Sequence, residues 1–99
     1  MDYDYNKNKQ TNSNISNYKI LVRNIDKIHT TELGVNRIRK NLNLDVDDVV
    51  LWCKDKIKDS NNKITRKGKN WYVESSDIVI CINSYSYTII TAHRLKLSD

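Results

Sequence analysis

The sequence has no proline, no phenylalanine and only two glycines and two cysteines in 99 residues. Two cysteines form neither a disulfide framework nor a four-thiolate zinc site. Cys53 and Cys81 both lie in apolar patterns, so we expect buried thiols in a reducing compartment. No apolar run approaches the ~18 residues of a membrane-spanning helix, and the polar first seventeen residues lack the apolar segment of a secretory signal. These absences predict a cytoplasmic protein without a membrane segment.

The residues that are present suit one small domain with a basic surface. Twelve isoleucines and six tyrosines supply the core, and a chain of this length forms one domain. Seventeen Lys and Arg side chains against twelve Asp and Glu give a net charge of +5. A positive surface favours anionic partners.

The first half of the chain has the apolar spacing of helices. Residues 1–16 are almost entirely polar and predict a disordered tail, which leaves residues 17–99 as a single domain. Apolar residues recur at helical spacing over 18–28, 35–42 and 46–57. Thr30 or Thr31 is the predicted N-cap of the second helix and Asp45 that of the third.

The second half alternates with period two. After a turn at residues 59–62, we predict strands at 64–66, 70–74, 78–82 and 87–94. Loops this short require an antiparallel meander. The predicted class is α+β, with three N-terminal helices packed on one face of a four-stranded antiparallel meander sheet. In the last strand, alternation places Tyr87, Ile89, Thr91 and His93 on one face and Thr88, Ile90, Ala92 and Arg94 on the other.

A basic hairpin is the strongest functional signal. Four cations fall within seven residues, and two aromatic residues follow: Lys63, Arg66, Lys67, Lys69, Trp71 and Tyr72. Cations bind phosphates and aromatic rings stack on bases, so the window predicts a hairpin that contacts nucleic acid. The alternative is a solvated turn with Trp71 in the core.

Two further windows contain the histidines. His93 lies at a strand end beside Thr91 and Arg94, where an imidazole can transfer a proton while its neighbours hold a phosphate. The alternative is an ordinary surface side chain. His29 precedes the second helix, whose polar side carries Arg37 and Lys40 at a spacing of three; the alternatives there are a capping contact and a polar helix face.

Several chemistries find no support in the sequence. It has no phosphate loop, dinucleotide fingerprint, G-x-S-x-G or H-E-x-x-H motif. Asp45, Asp47 and Asp48 fit a helix cap better than a magnesium site. We therefore predict no metal site and no cofactor.

Five segments carry a resemblance to a known family: residues 28–34 (IHTTELG), 37–42 (RIRKNL), 49–54 (VVLWCK), 66–72 (RKGKNWY) and 87–93 (YTIITAH). Together they resemble DUF3781, a family of short uncharacterised proteins from Firmicutes and their mobile elements, over residues 18–95. The order of helices and strands, which ends in a Thr-x-His strand, is also similar in architecture to the barnase/colicin/RelE-like ribonucleases. That second similarity implies metal-free RNA cleavage.

Two functions follow as hypotheses. The first is a metal-independent RNA-cleaving, toxin-like or RNA-processing protein, with His93 and His29 as the proton-transfer pair, Arg66 for charge and Thr91 for orientation. RNA, or another phosphate-bearing ligand, would contact residues on the hairpin, the second helix and the last strand: Arg37, Lys40, Lys67, Lys69, Trp71, Tyr72 and Arg94.

The second hypothesis is a non-catalytic binding protein. It would inhibit an enzyme or defence system for a phage or mobile element, or bind a nucleotide or RNA, through the same Arg, Trp and Tyr surface. An antitoxin or a target enzyme is the corresponding protein partner. Both a monomer and a homodimer paired through strand edges remain open.

Overall fold

The computed structural model describes residues 2–95, and the side chains among them from residue 13 onward. Three α-helices precede four strands, which form an antiparallel sheet in the order β1-β2-β3-β4. The helices are α1 (Asp2–Arg23), α2 (Glu32–Leu42) and α3 (Val49–Ile57), with a 3-10 turn at Ile25–Lys27. The strands are β1 (Lys63–Lys67), β2 (Asn70–Ser75), β3 (Ile78–Asn83) and β4 (Ile89–Arg94). The predicted class and meander are confirmed.

Helix α1 begins before Tyr18, where the apolar pattern starts. The Asn14 Oδ1 atom accepts a hydrogen bond of 2.6 Å from the backbone N–H of Ile64. This bond attaches α1 to β1. The side chains of residues 1–12 lie outside the described residues, and disorder there stays a prediction.

The first helix also ends earlier than its apolar pattern suggests. It stops at Arg23, and the 3-10 turn then carries the chain to Ile28. The side chain of Asn24 donates to a carbonyl of the last helical turn at 2.8 Å, which competes with continuation of the helix. Within the described residues, no helix combines the length and apolar character needed to cross a membrane.

Helix α2 has the cap that the sequence predicts. The Thr31 hydroxyl accepts a hydrogen bond of 3.0 Å from the N–H of Gly34, which satisfies one of the free donors of the first turn. At the other end, Asn43 adopts the left-handed conformation with φ of 52° and closes the helix.

The prediction of Asp45 as the N-cap of α3 is wrong. Asp48 takes that position, and its carboxylate accepts from the N–H of Leu51 at 2.9 Å. The guanidinium of Arg39 donates to the carbonyl of Val46 and holds this segment beside α2. Helix α3 therefore begins only after Val46.

The core lies between the helices and one face of the sheet, which we call the helix face. Cross-strand partners point the same way, so the wholly apolar row of Ile64, Val73, Ile80 and Ala92 crosses this face. Its strand residues are Ile64, Trp71, Val73, Ile78, Ile80, Ile82, Ile89 and Ala92, and its helical partners include Leu21, Ile38, Leu42, Val49, Cys53 and Ile57.

A bulge in β4 changes the faces predicted for this strand. Thr91 pairs with Cys81 and Ile89 pairs with Ile82, so Ile90 has no partner in the register. The two buried residues of the strand, Ile89 and Ala92, consequently share the helix face although they are three apart. Thr91 and His93 lie on the opposite face, which we call the open face. Strict alternation through β4 is therefore wrong.

Side chains cover both outer strands of the sheet. On β1, Asn14 bonds the N–H of Ile64, and the amide of Asn17 donates to the carbonyl of the same residue at 3.2 Å. On β4, the carbonyls of Ile89 and Ala92 accept from side chains at the start and end of α2. These bonds occupy backbone groups that would otherwise pair with a second chain.

Candidate nucleic-acid interface

Two loops and the segment before α2 meet at one end of the sheet, which we call the loop end. The carbonyl of Lys69 accepts from both the N–H and the hydroxyl of Ser84 at 2.8 Å, which ties the β1–β2 turn to the β3–β4 loop. His29 forms an isolated parallel bridge with Thr88, which ties the segment before α2 to the same loop. The loop end comprises residues 27–29, 66–71 and 83–88.

The guanidinium of Arg66 contacts two aromatic rings of the loop end. Its central carbon is 5.7 Å from the ring centroid of Trp71 and 6.0 Å from that of Tyr85. The Nε–H of Arg66 donates to the carbonyl of Gly68 at 3.1 Å. Gly68 has a φ of +61°, a backbone conformation that favours glycine. Trp71 is 3% exposed, whereas Tyr85 is 73% exposed. A buried ring thus positions the cation, and the second ring faces solvent.

A second cation–aromatic contact lies next to the first. The rings of Trp71 and Tyr87 are 5.7 Å apart, and the Lys27 ammonium lies 5.7 Å from the Tyr87 centroid. Among the described residues, the buried indole N–H of Trp71 and the side-chain oxygen of Asn70 have no hydrogen-bond partner. The loop end thus combines cations that contact aromatic rings with polar atoms that have no hydrogen-bond partner within the described residues.

His29 is hydrogen-bonded at both ring nitrogens. Its Nδ1 lies 2.8 Å from the carbonyl of Lys27, so this nitrogen must donate. In the neutral ring, Nε2 is then the acceptor, and the Thr88 hydroxyl lies 3.1 Å from it. The Thr88 oxygen in turn lies 2.7 Å from the hydroxyl of Ser86. This arrangement holds an exposed imidazole with its basic nitrogen among hydroxyl groups.

The loop end is positively charged. Lys27, Arg66, Lys67 and Lys69 are all exposed there. The ion pairs among residues 13–95 are Lys58 with Asp55 and Arg94 with Asp77, so no carboxylate neutralises the four loop-end cations by direct pairing. Within the same part of the chain, no group of three or more His, Cys, Asp or Glu side chains could hold a metal ion.

The open face collects a different set of the predicted site residues. Thr91 lies in a cross-strand row with Cys81 and Tyr72, while His93 lies in a row with Val79. Lys67, on β1, belongs to the cross-strand row of the open face that lies nearest the loop end. Burial raises the pKa of the Cys81 thiol, and a hydrogen bond with Tyr72 partly opposes this increase.

The predicted catalytic set is not assembled, because His93 lies apart from both His29 and the basic hairpin. His93 is on β4 and Arg66 on β1, the two opposite edges of the sheet, which are separated by three strand spacings or about 14 Å. They also project from opposite faces, because Arg66 shares its row with Trp71 and Ile82. His29 is the histidine that the fold brings to the same end as the hairpin.

The other predicted contacts lie away from the hairpin. Arg37 and Lys40 are exposed on α2, which packs beside β4. Arg94 lies at the far end of the sheet, where it pairs with Asp77 at 3.0 Å and donates to the carbonyl of Leu42 at 3.1 Å. These three residues do not form one surface with Arg66 and the turn lysines.

The sequence pattern did not indicate a functional role for the aromatic residues of the β3–β4 loop. Tyr85 and Tyr87 lie in a loop whose other members are Asn83, Ser84 and Ser86. A tyrosine within a polar turn was the available signal, because such a ring has few apolar neighbours in the chain and is presented to solvent. Lys27 was missed because its partner, Tyr87, is distant in sequence.

The family resemblance is confirmed by comparison with known proteins. The model of a family described as "Protein of unknown function (DUF3781)" matches residues 22–93 of this chain. No curated protein and no solved structure matches the sequence or the fold. The matched region begins within α1 and ends within β4, so it contains the entire sheet except its last residue.

Proposed function

This chain belongs to the DUF3781 family, and we propose that it is an RNA-binding protein whose loop end holds single-stranded RNA. The observation that carries the proposal is the contact of the Arg66 guanidinium with the rings of both Tyr85 and Trp71. Proteins that bind single strands combine aromatic platforms for bases with cations that follow the phosphate backbone. The loop end provides both within one continuous surface.

The roles of the individual side chains follow from their exposure. Tyr85 presents a ring for base stacking, since it is 73% exposed. Lys67 and Lys69 are exposed on the β1–β2 turn and supply charge for phosphates. Arg66 is partly immobilised by its ring contacts, which reduces the entropy lost when it binds a phosphate or a base.

A second candidate function, metal-free cleavage of the bound RNA, is favoured by the bonding of His29. With Nδ1 held by the Lys27 carbonyl, Nε2 is the basic nitrogen. It would take the proton of a ribose 2′-hydroxyl after the Thr88 hydroxyl turns away. The 2′-oxygen would then bond to phosphorus, and the bond from phosphorus to the 5′-oxygen would break. Water would protonate the leaving oxygen, giving a 2′,3′-cyclic phosphate and a 5′-hydroxyl.

We place the protein in the cytoplasm. Both thiols, Cys53 and Cys81, are free and buried. Unpaired cysteines in a small domain fit a reducing compartment.

Binding is tested by fluorescence anisotropy of a labelled single-stranded RNA over a series of salt concentrations. The variants are Lys69→Gln at the loop end and Lys54→Gln on α3 as a control with the same loss of charge. We expect Lys69→Gln to lower affinity and to reduce the salt slope by about 0.7, the value for one lost phosphate contact on a single strand. Lys54→Gln should retain the wild-type slope.

Two outcomes would contradict the proposal. One is the absence of binding by the wild-type protein at low salt. The other is an equal loss of affinity in Lys69→Gln and Lys54→Gln, because that would indicate a diffuse effect of net charge rather than a contact at the loop end.

A further inference from the structure

A recess lies at the opposite end of the sheet from the loop end. It has a volume of about 240 Å³, and we call it the turn-end cleft. It opens between the end of α3, the β2–β3 turn and the end of β4. Its lining residues are Trp52, Lys56, Ser75, Ser76, Asp77, Ile78 and Arg94. Pockets that enclose most of a drug-sized ligand start at roughly 300 Å³, so this cleft would enclose only part of a ligand of that size.

One wall of the cleft combines an indole with a mobile cation. The Lys56 ammonium lies 5.1 Å from the ring centroid of Trp52. Lys56 is exposed and pairs with no carboxylate among residues 13–95. Its long side chain can therefore move from the ring to an incoming anion, which leaves the indole face free for a flat group.

The opposite wall is fixed and polar. Arg94 is held in place by the Asp77 carboxylate at 3.0 Å and by the Leu42 carbonyl at 3.1 Å. Because Asp77 neutralises Arg94, Lys56 leaves the cleft with one uncompensated positive charge. A group of single or double negative charge is thus preferred to a neutral or cationic one.

A buried hydroxyl also lines the cleft. Ser75 is 2% exposed and lines the cleft. Its hydrogen bond, to the carbonyl of Lys56, is 3.5 Å long, at the limit for such a contact. Buried hydroxyls normally have a well-formed partner. The Ser75 hydroxyl thus donates one long hydrogen bond to the protein, and its oxygen can still accept a hydrogen bond from a ligand.

We propose that the turn-end cleft binds a small aromatic phosphate of the nucleoside monophosphate class. The flat base would stack on Trp52, the phosphate would bind Lys56, and the Ser75 oxygen would accept a hydrogen bond from a sugar hydroxyl. The site is independent of RNA binding at the loop end, because the two lie at opposite ends of the sheet and share no residue.

The two tryptophans allow the two sites to be distinguished. Protein labelled with 5-fluorotryptophan has one fluorine resonance from Trp52 in the cleft and one from Trp71 at the loop end. We expect adenosine monophosphate to shift the Trp52 resonance in a saturable manner and to leave that of Trp71 unchanged. Adenosine, which lacks the charge, and inorganic phosphate, which lacks the ring, should each bind at least about tenfold more weakly.

Matched variants then test the proposed cation. Lys56→Gln should weaken the binding of adenosine monophosphate at least about tenfold, because it removes a charged hydrogen-bond donor. Lys54→Gln removes the same charge from the same helix but outside the cleft, and it should retain the wild-type affinity. An unmoved Trp52 resonance at millimolar nucleotide would overturn the proposal. So would a shift confined to Trp71, or an equal weakening in the two variants.

Discussion

The imidazole Nε2 of His29 and the hydroxyl oxygen of Thr88 lie 3.1 Å apart, although 59 residues separate them in the chain. Backbone hydrogen bonds flank this pair, since the N–H of His29 donates to the carbonyl of Tyr87 at 3.2 Å and the N–H of Ile89 donates to the carbonyl of His29 at 2.7 Å. This bridge attaches the segment before α2 to the start of β4. It places the His29 ring at the loop end, whereas the His93 ring lies on the open face near the other end of the sheet.

The separate positions of the histidines lead to the first prediction. In EDTA, metal-free cleavage of RNA should fall at least about 100-fold in His29→Gln, because glutamine retains hydrogen-bonding groups but cannot accept the proton. His93→Ala should cleave at the wild-type rate. The measurement is the rate of product formation on a gel, with thermal melting to verify the fold of each variant. Cleavage that is lost in His93→Ala and retained in His29→Gln would reverse the assignment.

The exposed tyrosine gives the second prediction. Tyr85→Ala should weaken RNA binding by about 1–3 kcal/mol, the contribution of stacking one base on an aromatic ring. Its free energy of unfolding should change little, because the wild-type ring is 73% exposed. Anisotropy titration and urea unfolding measure the two quantities. Tyr85→Phe serves as the control, since it retains the ring. Equal affinities of Tyr85→Ala and wild type would exclude stacking at this position.

The covered edge of β1 gives the third prediction. Asn14 and Asn17 bond the N–H and the carbonyl of Ile64. The double variant Asn14→Ala/Asn17→Ala should lose about 1 kcal/mol of stability per bond and expose a strand edge to a second chain. We expect a wild-type monomer and a variant that associates as its concentration rises, measured by light scattering after size exclusion. A variant that remains as monomeric as wild type would show that these bonds do not prevent edge pairing.

The buried thiol of Cys53 gives the fourth prediction. Burial raises the pKa of this thiol from its ordinary value of 9.0 to about 12. Above pH 9 the unfolded chain loses this proton while the folded chain retains it. The contribution of the Cys53 thiol to the free energy of unfolding is therefore fully present below pH 9. It decreases by about 1.4 kcal/mol per pH unit as the pH rises from 9 towards 12.

Urea unfolding of wild type and Cys53→Ala at neutral and alkaline pH tests this expectation. The stability advantage of wild type over the variant should shrink as pH rises above 9, since other titrating groups are common to both proteins and cancel. An advantage that is independent of pH would show that the Cys53 thiol ionises equally in the folded and unfolded states.

Much of the fold was predictable because its signals are local. The isoleucine alternation of β3 predicts a strand, and the threonine before α2 predicts its cap. The boundary of α3 and the faces of β4 depend on other parts of the chain. Arg39 holds the Val46 carbonyl and delays α3, and the bulge that leaves Ile90 unpaired in β4 is set by pairing with β3. Such tertiary contacts leave little trace in a local pattern.

The candidate site was predicted only in part for the same reason. The basic turn with Lys67 and Lys69 was visible as a cluster of charge. The sequence did not indicate which histidine would join it, because that depends on the strand order and on the bridge between His29 and Thr88. Tyr85 reaches Arg66 only because two loops meet at one end of the sheet.

The location of bound RNA is the most direct test of RNA binding at the loop end. In a ¹⁵N-labelled sample titrated with single-stranded RNA, we expect amide shift changes concentrated in residues 27–29, 66–71 and 83–88. Amides of α3 and of the β2–β3 turn should remain unchanged. Shift changes centred on the open face around Cys81 and Thr91, or spread evenly over the basic surface, would contradict binding at the loop end.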